Sequence, residues 1–143
     1  MIENKLGELG FPILFSKLSK SFNKRFGDYL IPFGLSKLHA YYLMCLYKNK
    51  NGLTLNQLNI MTGCDKANTS RAINDMADKG IVERSGQECE KKYRVVLTKK
   101  GFDIGKDFMH SIKDSIKNTF SVLTEKELEF FQNIVKKLAK EAC

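Results

Sequence analysis

Polar side chains of the kinds that bind nucleic acid are concentrated between residues 66 and 74. Arginine donates paired hydrogen bonds to guanine, asparagine pairs in a similar way with adenine, and lysine and serine hold phosphate groups. The segment carries Lys66, Asn68, Ser70, Arg71 and Asn74. These residues predict hydrogen bonding to base edges and phosphates, and that chemistry requires an element that points them in one direction.

The apolar residues between the polar ones predict that this element is a helix over 66–79. They recur every three or four positions, which is the period of a helix face, and Asp65 and Gly80 suit its two ends. Asp75 and Asp78, which phosphate would repel, lie away from the polar cluster. The alternative is a surface helix with a mixed polar face and no ligand. The face suited to packing consists of Thr69, Ala72, Ile73 and Met76, and Thr69 is also included among the predicted DNA contacts.

The neighbouring segments predict a winged helix-turn-helix around this helix. Thr54 is a suitable N-cap for a short helix that Gly63 closes, and the β-prone stretches 81–84 and 93–97 follow the second helix. Helix, tight turn, helix and hairpin is the order of this motif, whose second helix enters the major groove. Thr54 and Gln57, at the start of the short helix, are predicted to hold phosphates.

The predicted hairpin supplies further basic residues. A wing of this kind lies over the minor groove, where negative potential is concentrated. Its loop also contains Glu88 and Glu90, so the alternative is a solvated hairpin that contacts no DNA. The residues predicted to contact DNA from the wing are Arg84, Lys91, Lys92 and Arg94.

Long helices flank the motif and complete the predicted fold, which is mostly α with a small β-hairpin wing. We predict one domain over 1–143, with the winged motif at about 36–98 and dimerisation helices at about 11–30 and 99–142. The terminal helices are richer in large apolar residues than a four-helix domain needs, although they could instead pack on their own domain. The set predicted to form the dimer interface is Phe11, Phe15, Phe22, Phe130, Phe131, Ile134 and Leu138.

Composition limits the classes of function. The 143 residues carry a net charge of +8, which attracts polyanions. The four cysteines form no CxxC pair and there are only two histidines, so we expect no metal site. We expect no catalytic residues, no enzyme activity and no cofactor, because no Gly-rich phosphate loop or nucleophile with a base at motif spacing is present. Neither a signal peptide nor a membrane-spanning run is predicted, so the expected location is the cytoplasm.

Two stretches of the sequence carry a series of short motifs in a fixed order: KANTSRAINDMADKGIVER at 66–84 and VVLTKKG at 95–101. They resemble the multiple-antibiotic-resistance regulator (MarR) family. Its members carry Ser-Arg in the recognition helix, then Leu or Met, Lys-Gly, an apolar pair and Glu-Arg, and Leu-Thr-x-x-Gly at the end of the wing. The resemblance extends more loosely over essentially the whole chain, including LTEKELEFFQNIVKKLA at 123–139.

The resemblance implies an obligate homodimer that binds double-stranded DNA at a palindromic operator. Its first, fifth and sixth helices would interleave, and its two recognition helices would lie one DNA turn apart, about 34 Å. Family members place an effector pocket between the dimer and DNA-binding regions, which implies a small-molecule effector. The aromatic candidates for that pocket are Phe33, His39 and Tyr42, with core packing as the alternative.

The wing departs from the family pattern. Where the family usually carries Asp-x-Arg, this chain has Cys89 and Lys91, or Glu90 and Lys92 after a slip of one residue. Lysine replaces a bidentate arginine poorly. Cys89 is the most exposed candidate for a reactive thiol, because Lys91 and Lys92 would favour its thiolate. Cys45 and Cys64 are predicted to be buried and inert.

The leading hypothesis is a sequence-specific transcriptional regulator, a repressor that a small ligand or an oxidant releases from DNA. The alternative is a winged-helix module that binds protein without specific DNA binding. The two differ in their dependence on salt. A regulator that contacts roughly 6–10 phosphates loses about 10³-fold or more in affinity between 50 and 200 mM salt, whereas the protein-binding module predicts salt-insensitive behaviour.

Overall fold

The computed structural model describes residues 10–86 and 93–142. In these residues the predicted helices and strands are present, so the predicted fold class, mostly α with a β-hairpin, is confirmed. None of the helices in the described ranges is long and apolar enough to cross a membrane. The helices are α1 (Phe11–Leu30), α2 (Lys37–Lys48), α3 (Leu55–Thr62), α4 (Lys66–Asp78), α5 (Lys99–Phe120) and α6 (Glu125–Ala142), with a 3-10 turn at Ile31–Phe33. The strands are β1 (Val82–Ser85) and β2 (Arg94–Leu97).

The chain divides into two compact units, with the boundary between Ala40 and Tyr41. In the first unit, Gly34 ends the 3-10 turn at a φ of 69°, in the left-handed region that favours glycine. The next helix begins with a local hydrogen bond, because the backbone N–H of Ser36 donates to Nδ1 of His39 at 2.9 Å. His39 is buried in this capping position.

Capping residues also determine the helix-turn-helix in the second unit. The Thr54 hydroxyl accepts from the backbone N–H of Gln57 at 3.2 Å, and the Gln57 side-chain oxygen accepts from the backbone N–H of Thr54 at 2.9 Å. Gly63 ends α3 at a φ of 70°. Because this turn is short, α4 begins after Asp65 and lies directly against α3.

The wing contains one more extended segment than the sequence predicted. β1 and β2 pair antiparallel, with Val82 opposite Leu97. Leu53 also exchanges two backbone hydrogen bonds with Val95, at 3.0 and 2.8 Å. A single extended residue leaves no periodic pattern, so sequence analysis could not detect it. The bridge fastens the base of the wing to the start of α3.

Thr98 and Gly101 join the wing to α5. The Thr98 hydroxyl donates to the Gly80 carbonyl at 2.6 Å and accepts from the Gly101 N–H at 3.1 Å. A Cβ on residue 101 would overlap the carbonyl oxygen of Ile81, so only glycine allows α5 to approach this closely. These contacts give a physical reason for the Leu-Thr-x-x-Gly pattern in this chain.

The core of the second unit lies beneath α4 and the base of the wing. Burial of each aliphatic side chain there contributes roughly 1.5–3 kcal/mol relative to an exposed one. The fully buried large residues of this unit are Tyr42, Leu43, Leu46, Leu58, Ile73, Met76, Ile81, Val95 and Phe108.

Candidate nucleic-acid interface

Helix α4 has one buried face and one exposed face. Ala72, Ile73 and Met76 are at most 5% exposed. The polar residues predicted to contact DNA lie mainly on the opposite side, so the helix presents them while its apolar face packs inward. The exposed ones are Lys66, Asn68, Arg71 and Asn74, and Ser70 is half-buried.

Thr69 is fully buried, which corrects its inclusion among the DNA contacts. Its hydroxyl lies 3.0 Å from that of Tyr42, which is equally buried. Burial raises the pKa of the Tyr42 phenol, and the hydrogen bond with Thr69 offsets part of that shift. The pair fixes α4 on α2. Tyr42 therefore packs in the core in this structure, which is the alternative that the sequence left open, and its contact with an effector stays a prediction.

A chain of hydrogen bonds runs along the N-terminal end of α4. Asp65 caps the helix, because one of its carboxylate oxygens accepts from the backbone N–H of Asn68 at 2.7 Å. Its other oxygen accepts from Nδ2 of Asn68, also at 2.7 Å. Nη2 of Arg71 then donates to Oδ1 of Asn68 at 3.2 Å. The sequence predicted Asp65 as the cap, whereas its contact with the Asn68 side chain was not predicted.

A second contact connects α4 with the wing. Nη2 of Arg84 donates to Oδ1 of Asn74 at 3.1 Å. The guanidinium carbon of Arg84 also lies 4.5 Å from the ring centre of Tyr93, which is a cation–π distance. Tyr93 was not predicted to take part in the site. The predicted wing contacts Lys91 and Lys92 lie outside the described residues.

Arg94, the fourth residue predicted to contact DNA from the wing, takes part in a structural contact. Its Nη1 donates to the carbonyl of Gly52 at 2.9 Å. Gly52 has a φ of 85°, and a side chain there would overlap Val96 and the Val95 carbonyl. Arg94 therefore helps to hold the turn before α3, and its contact with DNA stays a prediction.

Acidic residues at the other end of α4 are partly neutralised. The Lys79 ammonium lies 2.6 Å from a carboxylate oxygen of Asp75. Lys100 donates to the Lys79 carbonyl at 3.0 Å, which places a cation at the C-terminal end of the helix. The N-terminal end of α4 carries the positive end of the helix dipole together with Lys66, Arg71 and the capping carboxylate of Asp65.

Thr54 and Gln57, the predicted phosphate contacts at the start of α3, form a capping box that leaves a hydrogen-bond donor for a phosphate. Thr54 is half-buried and Gln57 is exposed. The capping box uses the side-chain oxygens of both residues as acceptors. The amide nitrogen of Gln57 is a donor that the capping box does not use, and it suits a phosphate oxygen.

A cavity of about 770 Å³ lies between α2 and α5 within the second unit. This volume lies in the range of small-molecule sites. None of its lining residues was predicted to be an effector contact. Phe33, which was predicted to be an effector contact, is exposed outside this cavity and lies against Tyr29, with ring centres 6.1 Å apart. The lining includes the apolar Met44, Tyr47, Ile112 and Ile116 and the cationic Lys48, Lys106 and Lys113, with His110 and Asp107 beside them.

Large apolar side chains remain exposed on the terminal helices. No residue of α6 is buried. Phe130, Ile134 and Leu138 are 68%, 53% and 55% exposed, respectively, and Phe131 is half-buried against Phe120. On α1, Phe11 and Phe15 are exposed and Phe22 is half-buried. These are the seven residues predicted to form a dimer interface.

The cysteines that the structure describes are half-buried, whereas Cys45 and Cys64 were predicted to be buried. Burial raises the pKa of the Cys45 thiol, and nearby Lys48 offsets part of that shift. Cys89, the predicted reactive thiol, lies outside the described residues. Among the residues that are described, no group of three or more His, Cys, Asp or Glu could hold a metal ion.

Comparisons with known proteins identify relatives of this fold. Residues 33–92 match a family model described as MarR family. No curated protein sequence matches the chain. A solved structure of a MarR transcriptional regulator from Methanosarcina mazei Go1 is 25% identical, with a TM-score of 0.79, and the match covers 99% of this chain and 97% of that one.

Two further solved structures include bound partners. The chain is 20% identical to S. aureus MepR in a complex with DNA, with a TM-score of 0.81 and coverage of 95% of this chain and 100% of that one. It is 14% identical to CouR from Rhodococcus jostii RHA1 bound to p-coumaroyl-CoA, with a TM-score of 0.78 and coverage of 92% of each chain. At these identities the likeness concerns the fold.

Proposed function

We propose that this chain is a DNA-binding transcriptional regulator of the MarR family, and that it represses transcription as a homodimer on a palindromic operator. The match of residues 33–92 to the MarR family model supports this family. The observation that carries the proposal is the exposed polar face of α4. Lys66, Asn68 and Arg71 lie there at the N-terminal end of the helix, above a buried apolar face. The activity we propose is binding, without catalysis or a cofactor.

We assign the DNA contacts by the position of each residue. Side chains of α4 would enter the major groove, and the wing would follow the adjacent minor groove. Gln57 and Thr54 would hold the phosphate backbone at the start of α3. The proposed contacts from α4 and the wing are Lys66, Ser70, Arg71, Asn74, Arg84, Lys91, Lys92 and Arg94, with Asn68 beside Arg71 at the N-terminal end of α4.

The exposed apolar faces of α1 and α6 support the homodimer. A face that carries Phe130, Ile134 and Leu138 in water is costly, since each of these side chains gains on burial. In the proposed dimer these faces bury one another. The two α4 helices would then lie one DNA turn apart, about 34 Å, and bind inverted half-sites.

The cavity between α2 and α5 supports response to a small molecule. Its apolar walls and its lysines suit an organic anion with an apolar body. Thr69 ties α4 to Tyr42 of α2, so a ligand that moves α2 relative to α5 would also move α4. Release by an oxidant through Cys89 stays a prediction from the sequence.

Selection of bound duplexes from a random pool tests the proposal. We expect enrichment of inverted half-sites and a fall in affinity of about 10³-fold or more between 50 and 200 mM salt. Arg71→Ala should lose specific affinity, whereas Lys140→Ala, which removes the same charge from the exposed end of α6, should not. No enrichment together with salt-insensitive behaviour would instead favour a protein-binding module.

A further inference from the structure

Asn68 has the side-chain chemistry to bind adenine, but hydrogen bonds within α4 engage both ends of its amide. Nδ2 donates to Asp65 at 2.7 Å, and Oδ1 accepts from Nη2 of Arg71 at 3.2 Å. A bidentate pair with adenine needs both of these atoms at once. One proton of Nδ2 and one lone pair of Oδ1 remain, so an adenine bound by Asn68 would have to share both atoms with Asp65 and Arg71.

The direction of the Asn68 amide is determined by its neighbours. An ionised carboxylate only accepts hydrogen bonds, and a guanidinium only donates them. The amide nitrogen must therefore face Asp65, and the amide oxygen must face Arg71. Rotation of the amide by 180° would place two acceptors together at one end and two donors together at the other.

The same contacts orient the guanidinium of Arg71. Nε lies 3.4 Å from the carbonyl of Ala67, and Nη2 contacts Asn68, so one edge of the planar group is directed toward the helix. Both protons of Nη1 and the second proton of Nη2 are not used by these contacts. This outer edge has the spacing that pairs with O6 and N7 of guanine.

Asn74, the second asparagine on the exposed face of α4, also holds an arginine through its amide oxygen. Oδ1 of Asn74 accepts from Nη2 of Arg84, which also lies over the ring of Tyr93. At two positions on α4, therefore, an asparagine oxygen accepts a hydrogen bond from an arginine.

We propose that Arg71 recognises guanine in the half-site and that Asn68, held by Asp65, is a positioning residue for Arg71 and not an adenine contact. The inference rests on the proposed function, since it specifies how the same face of α4 selects its sequence. A guanidinium held in place loses less conformational freedom on binding than a mobile one. Base preference should therefore depend on Asp65, although a carboxylate beside DNA repels phosphate.

The test compares the base preference of variants at the position whose guanine preference is lost in Arg71→Ala. The wild-type protein should prefer guanine there by about 5- to 150-fold, and replacement of that guanine by 7-deazaguanine should remove most of the preference. Asn68→Ala should reduce the preference several-fold without changing the preference for adenine at any position.

Asp65→Ser separates positioning from capping. Serine retains an acceptor for the Asn68 backbone N–H, so the helix cap survives, but it lacks the second oxygen that orients the amide. We expect a several-fold loss of guanine preference together with equal or higher affinity for nonspecific duplex. Asp78→Ser, which removes the same charge from the exposed far end of α4, should leave base preference unchanged.

Three results distinguish failure of this inference from failure of the proposed function. Loss of an adenine preference in Asn68→Ala would overturn the inference, and so would an unchanged guanine preference in both Asn68→Ala and Asp65→Ser. If the wild-type protein enriches no duplex sequence, the proposed function itself fails. Thermal unfolding of each variant checks that the helix still folds.

Discussion

Helices α4 and α6 are both amphipathic, yet they use their apolar faces differently. In α4 the residues Ala72, Ile73 and Met76 are buried within the second unit, and the polar face is exposed. In α6 no residue is buried, and Ile134 and Leu138 are more than half exposed. The second unit therefore supports α4 through a buried apolar face, whereas in the described part of the chain no residue of α6 is buried.

This difference separates two requirements of the proposed function. Contact with DNA needs a rigid helix whose polar face is free of its own core, and α4 meets that requirement within one chain. Reading two half-sites needs a second copy at a determined distance. The unburied face of α6 is the surface that suits this second copy, so each helix can be disrupted separately.

The largest expected effect comes from a charge on the apolar face of α6. Ile134→Glu should convert the dimer to a monomer and lower the affinity for a two-half-site duplex by about 100-fold or more, because the second binding event is no longer intramolecular. Binding to a single half-site should remain. Light scattering and a gel-shift titration measure the two effects.

The control for this variant is Gln132→Glu, which adds the same charge outside the apolar face. It should remain a dimer with wild-type affinity. A dimeric Ile134→Glu protein would show that the exposed apolar face of α6 is not part of the dimer interface.

The next largest effect should come from the junction that supports α4 from below. Gly101→Ala places a methyl group against the Ile81 carbonyl, so α5 must move away from the end of the α4–β1 turn. We expect a loss of about 2–3 kcal/mol in the free energy of unfolding, measured in urea. Gly27→Ala is the control, since a Cβ there meets no atom within 4 Å, and it should be neutral or slightly stabilising.

A smaller effect is expected from the buried hydroxyl pair beneath α4. Tyr42→Phe leaves the Thr69 hydroxyl buried without its phenol partner and should lower the free energy of unfolding by about 1–2 kcal/mol. The polar face of α4 should keep its DNA affinity once the protein is folded. If Tyr42→Phe also lost DNA affinity at a low temperature at which it is fully folded, the Tyr42–Thr69 pair would contribute to the position of α4 on DNA as well as to stability.

The Tyr42 variant also has a pH signature. Burial raises the pKa of Tyr42 above its ordinary value of 10.0, so above that pH the unfolded chain loses the phenol proton more readily than the folded protein. Stability of the wild-type protein therefore falls as the pH rises above about 10, whereas Tyr42→Phe lacks this contribution. Above about pH 10 the difference in free energy of unfolding between the two proteins should narrow. A constant difference would contradict a raised pKa for Tyr42 in the folded protein.

The smallest effect should come from the cap of α6. Thr124 and Glu127 form a capping box, with the Thr124 hydroxyl accepting from the Glu127 N–H at 3.2 Å and the carboxylate accepting from the Thr124 N–H at 2.8 Å. Thr124→Ala should cost about 0.5–1 kcal/mol in urea unfolding, and Thr124→Ser should restore most of it. Equal loss in both variants would assign the effect to packing and not to the cap.

Much of the fold was predictable because its signals are local. Asp65, Gly80 and Thr98 each end or begin an element through contacts within a few residues, and periodicity identifies the apolar face of each helix. The Thr98 and Gly101 pattern also carried the resemblance to the family. The capping contacts depend on neighbours in the sequence, so the sequence alone is enough to recognise them.

The parts of the site that were not predicted depend on contacts distant in the sequence or on hydrogen-bond direction. Thr69 suited either face until its bond to Tyr42, 27 positions away, placed it in the core. Arg94 resembled a wing cation, but it reaches Gly52 across 42 positions. Asn68 had the chemistry of an adenine contact, and only its two neighbours in space show that its amide is engaged.

The order of helices and strands, the ends of α4 and the polar character of its outer face follow from the sequence by itself, because capping and periodicity act over a few residues. The tertiary structure decided which of those polar groups face outward, which are used to hold another side chain, and that α6 leaves its apolar face uncovered. The burial of Thr69 and the contact of Arg94 depend on atoms that folding brings together from distant positions. The contacts of Asn68 are local, but their direction depends on side-chain conformations that the sequence pattern does not encode.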